Sequence, residues 1–120
     1  MEPINPRRFR RGPERTIQEG ILAALKAAGW FCISAHGNEY QLGLPDVWAS
    51  HAQKGYRWIE VKNPAAYSFT EAQQKVFPRM FDTGVGIWIL FGDTPEELAK
   101  LFKPANGREV FYRWLLGVKK

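Results

Sequence analysis

The chain has 120 residues, 45% hydrophobic and 24% charged, which is typical of one globular domain and excludes a disordered chain. The only cysteine, Cys32, excludes an internal disulfide framework and a multi-cysteine zinc site, and it predicts a reducing, cytoplasmic location. The net charge is +5, the longest apolar run (residues 87–91) is too short to span a membrane, and we expect no secretory signal.

The positive charge is concentrated at the two ends of the chain. Residues 1–15 contain five Arg and two Glu, and residues 100–120 contain six basic residues and one Glu. Basic ends suit a polyanion such as nucleic acid, although ordinary solvated tails have the same composition. We expect a flexible basic arm at residues 1–12 and a single domain at residues 13–120.

The first half of the domain is predicted to form one helix and three strands. The helix begins near Pro13, which suits a first helical position, and ends before Gly29. Strands are predicted at residues 30–34, 45–50 and 56–62, with a turn at residues 51–55 between the last two.

A second helix follows, and its start offers two capping arrangements. Ser68 with Glu71 fits the pattern of a capping box, and so does Thr70 with Gln73. We expect Pro78 to kink or shorten this helix, because proline lacks the backbone N–H group.

The rest of the chain is predicted to contain a buried strand at residues 85–91 and a helix from Thr94 to Pro104. Residues 108–114 fit either a strand or a helix. This order of elements predicts an α/β fold of the α+β type, in which helices pack on a mixed sheet.

Three ionisable residues are predicted to lie together on a hairpin. Residues two apart in a strand share a face, so Glu60 and Lys62 project together. A hairpin centred on Gln53 places Asp46 opposite Glu60, with all three ionisable groups on the outer face. In the same register Val47 pairs with Ile59 on the core side.

Two carboxylates and a lysine in one small patch suit a magnesium site, because Mg²⁺ prefers oxygen ligands. A metal there can polarise a phosphate and lower the pKa of a water, and a lysine can orient that water. The alternative is a solvated strand face with a cross-strand ion pair, and the spacing alone favours this alternative.

The two helices each direct one further polar side chain toward the core. At about 100° per residue, Glu14 lies within the apolar stripe of the first helix and Glu19 lies on the opposite side. That stripe consists of Ile17, Ile21, Leu25 and Ala28. On the second helix, Gln73 likewise lies within the apolar stripe and Gln74 lies outside it. Glu14 can instead interact with the helix dipole, and Gln73 can belong to the capping box.

Other chemically active residues are interpreted as structural. His36 and His51 are predicted in loops, without the partners of an HNH nuclease, and are interpreted as surface residues. Cys32 alternates with apolar neighbours and is interpreted as a core residue. Trp48 and Trp58 share the face of the ionisable residues and are candidates for stacking on bases.

The motifs together resemble the PD-(D/E)XK nuclease superfamily. They are Glu14-x-x-Ile17-Gln18, Gly43-x-Pro45-Asp46, Ile59-Glu60-Val61-Lys62 and Gln73. Within the superfamily, the sequence is similar to the VRR-NUC type that occurs alone in phages and fused to repair proteins. The resemblance covers residues 13–91 and implies a restriction-endonuclease-like core, αβββαβ, with an additional C-terminal helix.

The resemblance also implies hydrolysis of DNA phosphodiester bonds with Mg²⁺ or Mn²⁺. It implies that Asp46 and Glu60 ligate the metal, that the backbone carbonyl of Val61 joins them, and that Glu14 reaches the metal directly or through water. Stand-alone members are structure-specific endonucleases, some acting on branched DNA in replication or repair, and often work as homodimers.

The same resemblance assigns Lys62 to positioning or activating the attacking water and Gln73 to supporting the site. The chain departs from related sequences at residues 64–66, Pro-Ala-Ala, where a glycine is common. A non-catalytic nucleic-acid-binding module on the same fold is the alternative function, and a basic protein-interaction domain is a third.

A homodimer is also expected from the composition. Five Trp and eight Phe are more than one small core must hide, and the apolar tail at residues 110–118 has no evident place in it.

Overall fold

The computed structural model describes residues 12–34 and 43–117. Its elements in chain order are α1 (Gly12–Ala27), β1 (Phe31–Ser34), β2 (Val47–His51), β3 (Gly55–Val61), α2 (Glu71–Asp82), β4 (Ile87–Leu90), α3 (Pro95–Leu98), a 3₁₀ helix (Ala99–Phe102) and α4 (Gly107–Leu115). This order confirms the predicted succession of a helix, three strands, a helix, a strand and a helix. Residues 108–114, which fit either a strand or a helix in the sequence, lie within α4.

Some predictions fall on residues outside this description. Residues 1–11 of the expected arm lie outside the description, while Gly12 begins α1. His36 also lies outside it. The division into an arm and one domain therefore stays a prediction. Within residues 12–34 and 43–117, no helix has the length and apolar character needed to cross a lipid bilayer.

Within the described residues, four strands form one mixed sheet in the order β1-β2-β3-β4. The first three strands are antiparallel, whereas β3 and β4 are parallel and are joined by the crossover that contains α2. Val47 pairs with Ile59 and His51 pairs with Gly55, so the predicted register of the hairpin is confirmed. The architecture is the mixed α+β arrangement that the sequence predicts.

Each face of the sheet packs against different helices. The first core lies on the α1 side, and its buried members are Ile21, Leu25, Trp30, Val47, Ala49, Ile59, Val61, Leu90 and Leu101. The second core lies on the side of α2 and α4, and its buried members are Phe69, Phe77, Ile87, Ile89 and Phe111. Because neighbouring strand residues face opposite sides, Glu60 lies on the side of the second core, away from α1.

Helix α1 buries most of the stripe that its spacing predicts. Ile21 and Leu25 are buried, but Ala28 is exposed because the helix ends at Ala27. Gly29 follows with φ of 90°, a left-handed value that glycine adopts without strain at the end of a helix.

Helix α2 continues through Pro78 to Asp82, so the shortening, one of the two predicted outcomes, is wrong, and the kink stays a prediction. Phe77 on one side of the proline is fully buried, and Phe81 on the other side packs against the same core. Tertiary packing of this apolar face offsets the loss of one backbone hydrogen bond.

Helix α4 packs against β4, which is an edge strand of the sheet. The Asn106 side chain accepts the Ile89 N–H at 2.7 Å and donates to the Ile89 carbonyl at 2.9 Å, as a neighbouring strand would. At Gly107 any side chain would collide with the Ile87 carbonyl, so glycine allows the helix its close approach. The backbone of this edge is thereby partly covered.

Candidate metal and catalytic site

Asp46 and Glu60 meet where the paired region of the β2–β3 hairpin ends. The Asp46 backbone N–H donates to Glu60 Oε1 at 3.2 Å, and the Val61 N–H donates to Asp46 Oδ2 at 2.8 Å. Each carboxylate is thus held by a backbone group of the other strand. The register predicted from the centre of the turn brings these two residues together.

Lys62 is held by three acceptors and one aromatic ring. Its ammonium group donates to the Ser68 carbonyl at 2.7 Å and to Gln73 Oε1 at 3.3 Å, and it forms an ion pair with Glu60 Oε2 at 3.0 Å. The ring of Phe69 lies 4.4 Å from the same nitrogen. Since an ammonium group has three N–H donors, these acceptors fix its position.

Gln73 belongs both to the helix cap and to the site. Thr70 is the N-cap of α2, and of the two capping boxes that the sequence allows, the structure has the one formed by Thr70 and Gln73. The Gln73 side chain also donates from Nε2 to Glu60 Oε2 at 2.9 Å. The two interpretations of Gln73 are therefore compatible, and its predicted inward orientation is confirmed.

Three of the four residues are buried and Asp46 is half-buried, which corrects the predicted outer face. Glu60 is 1% exposed, Lys62 4% and Gln73 8%. The solvated strand that the spacing favours is wrong, because α2 and the segment before it cover this face of β3. Among the described residues, every buried side-chain nitrogen or oxygen has a hydrogen-bond partner.

Burial and a like charge change the acidity of Glu60. Its pKa is raised from 4.5 to about 8, first by burial and next by the Asp46 carboxylate, while Lys62 and Gln73 act in the opposite direction. A cation beside the two carboxylates would relieve the repulsion between them. Two hard carboxylate ligands fit a divalent ion such as Mg²⁺ or Mn²⁺.

The metal-free protein should lose stability as pH rises from about 4.5 to 8. Folding favours neutral Glu60, so its contribution is complete below pH 4.5 and is lost as the carboxyl ionises at about 8. The free energy of unfolding should fall by at most about 1.4 kcal/mol per pH unit. Urea denaturation in EDTA between pH 5 and 8 measures this slope.

Glu60→Gln should remove that contribution to the slope, whatever it does to the absolute stability. Glu109→Gln, at an exposed position on α4, should leave the slope unchanged. Equal slopes for the wild-type protein and Glu60→Gln would contradict the assigned pKa.

Glu14 and the carbonyl of Val61 stay predicted ligands. Glu14 is half-buried on α1, which packs on the face of the sheet opposite Glu60. In the part of the chain that the structure describes, no three His, Cys, Asp or Glu residues form a group suited to a metal ion. The structure thus brings together Asp46, Glu60, Lys62 and Gln73 and leaves a third acidic ligand open.

Sequence reasoning missed the contacts that fix Lys62. Neither the Ser68 carbonyl nor the Phe69 ring was expected beside it, although an aromatic residue directly before a helix cap is a signal for packing at that point. His51 ends β2, and its ring lies 5.2 Å from that of Trp30 in the first core. Trp48 pairs with Trp58, as the shared face predicts.

The fold can be compared with known proteins. No protein-family model matches the chain, and no curated protein matches it. A solved structure described as a VRR_NUC domain is similar, with a TM-score of 0.56 and 18% sequence identity, over 75% of this chain and 94% of the other. The chain therefore shares the fold of a VRR_NUC domain, which confirms the fold that the resemblance in the sequence implies.

Proposed function

We propose that the protein is a metal-dependent endonuclease that hydrolyses DNA phosphodiester bonds. The observation that carries this proposal is the group formed by half-buried Asp46 with buried Glu60, Lys62 and Gln73, joined by hydrogen bonds within a VRR-NUC fold. Burying the Glu60 carboxyl and the Lys62 ammonium group is costly for stability, which favours a functional role for them.

Asp46 and Glu60 would hold Mg²⁺ or Mn²⁺, joined by the Val61 carbonyl and Glu14. When bound, such an ion supplies charge that polarises the scissile phosphate and lowers the pKa of a water molecule. Lys62, held by Ser68 and its neighbours, would offset the negative charge that develops on the phosphate. To orient the attacking water as well, its ammonium group would exchange one of its three acceptors for that water.

The substrate that we propose is branched DNA of the kind formed in replication and repair. The basic ends of the chain suit a polyanion, and the +5 net charge favours association with it. The direct test is incubation with plasmid and synthetic branched DNA in Mg²⁺, Mn²⁺ or EDTA. Metal-dependent cutting is the expected result, whereas DNA that is bound but uncut under all conditions would favour the non-catalytic binding module.

The role of Glu14 can be tested against Glu19. Glu14 is half-buried on α1, whose buried residues pack on the face of the sheet opposite Glu60. Glu14→Gln should reduce cleavage and shrink the rise in melting temperature that Mn²⁺ causes, since that rise reports binding to the native state.

Glu19→Gln should change neither quantity, because Glu19 is exposed and pairs with Arg15 at 3.2 Å. Loss of activity in Glu19→Gln but not in Glu14→Gln would show that the predicted inward side of α1 and the proposed role of Glu14 as a metal ligand are both wrong.

We further propose that the chain forms a homodimer. The proposal rests on an exposed apolar face of the sheet and not on the apolar tail. Part of the apolar tail that had no evident place is packed: Phe111 lies in the second core, and Val110 and Trp114 pack against it. The apolar residues that remain exposed on one sheet face are Phe31, Ile33 and Tyr56, at 61%, 49% and 58%. The Trp48 ring lies between them, edge-on to Phe31 at 6.4 Å and stacked on Tyr56 at 6.1 Å.

A second copy covering this face would bury its rings. Static light scattering at high micromolar concentration should give a dimer mass for the wild-type chain and a monomer mass for Tyr56→Asp. Phe102→Asp is the matched control, since Phe102 is 60% exposed on the 3₁₀ helix. A monomeric wild-type chain would rule the dimer out.

A further inference from the structure

The side-chain amide of Gln73 forms hydrogen bonds at both of its ends. Its oxygen accepts the Thr70 backbone N–H at 3.1 Å and the Lys62 ammonium group at 3.3 Å. Its nitrogen donates to Glu60 Oε2 at 2.9 Å. Because one end of an amide only accepts and the other only donates, the acceptor contacts force the NH₂ group toward the Glu60 carboxylate.

Thr70 determines where this amide sits. Its hydroxyl oxygen accepts the Gln73 backbone N–H at 3.1 Å, while its own backbone N–H holds the Gln73 side chain. Two hydrogen bonds therefore join the cap residue to Gln73, one through the backbone of Gln73 and one through its side chain. Rotation of the amide away from Glu60 would break the capping box as well.

We infer that Thr70 is a positioning residue for the proposed metal site, acting on Glu60 through Gln73. This inference rests on the proposed function only in taking Glu60 as a metal ligand. Gln73 is then a hydrogen-bond bridge and not itself a ligand, because its oxygen already accepts two donors. Partners that orient a ligand in this way commonly change metal affinity when they are removed.

The chain contains a matched control for the cap. Thr94 is the N-cap of α3, and its hydroxyl oxygen accepts the Glu97 backbone N–H at 3.2 Å. The Glu97 side chain turns to the Phe91 N–H and not back to the cap. Thr94→Val thus removes a threonine cap of the same kind without affecting a contact to Glu60.

The experiment compares Thr70→Val, Thr70→Ser and Thr94→Val in the full chain. Isothermal titration with Mn²⁺ measures metal affinity, and ¹⁵N–¹H spectra of the metal-free protein report the side-chain NH₂ group of Gln73. Thr70→Gly serves as a second variant without the hydroxyl, because glycine is tolerated at an N-cap and the fold should survive.

Thr70→Val and Thr70→Gly keep the backbone N–H that holds the Gln73 amide but lose the hydroxyl that anchors the Gln73 backbone. We expect the displaced backbone to shift the amide and to weaken Mn²⁺ binding by about tenfold, at the lower end of effects seen for ligand-orienting groups. The Gln73 side-chain signals should shift, and their hydrogens should exchange faster with water. Thr70→Ser keeps the hydroxyl and should stay within about twofold of the wild-type affinity. Thr94→Val should match the wild-type protein in both measurements.

Unchanged Gln73 signals and Mn²⁺ affinity in both Thr70→Val and Thr70→Gly would overturn the inference. An equal loss of affinity in Thr94→Val would do the same, because it would show a general effect of losing a cap. If the wild-type chain neither binds Mn²⁺ nor cuts DNA, the proposed function fails, and the Gln73 signals of the metal-free variants still decide whether Thr70 positions the amide.

Discussion

Asp46→Asn should lower the rate of DNA cleavage by roughly 10³-fold or more while the protein remains folded. The substitution removes a negative charge from the proposed metal site. Asparagine still offers an oxygen to the Val61 N–H, which Asp46 accepts at 2.8 Å, so the hairpin keeps its hydrogen bond. Cleavage of branched DNA in Mn²⁺, together with the melting temperature, measures both parts of the prediction.

Asp82→Asn is the control for this substitution. Asp82 is exposed at the end of α2 and pairs with Arg108 at 3.6 Å, so its charge should not affect cleavage. An Asp46→Asn protein that cuts at the wild-type rate would show that Asp46 is not part of the catalytic site.

Gly43→Ala should cost about 2–5 kcal/mol of stability and reduce cleavage as well. Gly43 has φ of 88°, and a Cβ there would lie 2.7 Å from Val76 Cγ2 and 2.8 Å from the Ala72 carbonyl. The collision pushes the loop that carries Asp46 away from α2. Chemical denaturation measures the stability, and an assay on branched DNA measures the cleavage.

Gly84→Ala separates backbone strain from collision. Gly84 has nearly the same φ, 86°, but nothing lies within 4 Å of a Cβ added there. It should cost only about 1–2 kcal/mol and leave cleavage unchanged. Equal losses of stability in the two variants would contradict the close contact between Gly43 and α2.

The hairpin was predictable because its register depends on local information. A turn centred on Gln53 fixes which residues face each other, and alternation fixes the sides, so the meeting of Asp46 and Glu60 follows from the sequence. The burial of Glu60 was not predictable in this way. It depends on α2 folding back over the same face, which is a contact between distant segments.

The contacts of Lys62 and the structure of residues 108–114 depend on packing. The Ser68 carbonyl reaches Lys62 only because the chain turns back before α2, and no residue type in a sequence marks a carbonyl as an acceptor. Residues 108–114 are rich in aromatic residues, which also suit strands. The close approach at Gly107 and the burial of Phe111 determine that this segment forms a helix against β4.

The spacing of α1 predicts which side of the helix packs on the sheet, but it does not establish whether Glu14 is a metal ligand. The spacing places it on the packed side of α1, where Ile21 and Leu25 are buried. The spacing does not say which face of the sheet that side meets, and the structure places it on the face opposite Glu60.

The location of a bound metal ion tests the proposed site most directly. A crystal grown with Mn²⁺ and measured at the manganese absorption edge shows the ion by its anomalous scattering. The proposed site predicts one strong peak at about 2.0–2.3 Å from carboxylate oxygens of both Asp46 and Glu60. A peak elsewhere, or no peak at this pair in a protein that cuts DNA with Mn²⁺, would contradict it.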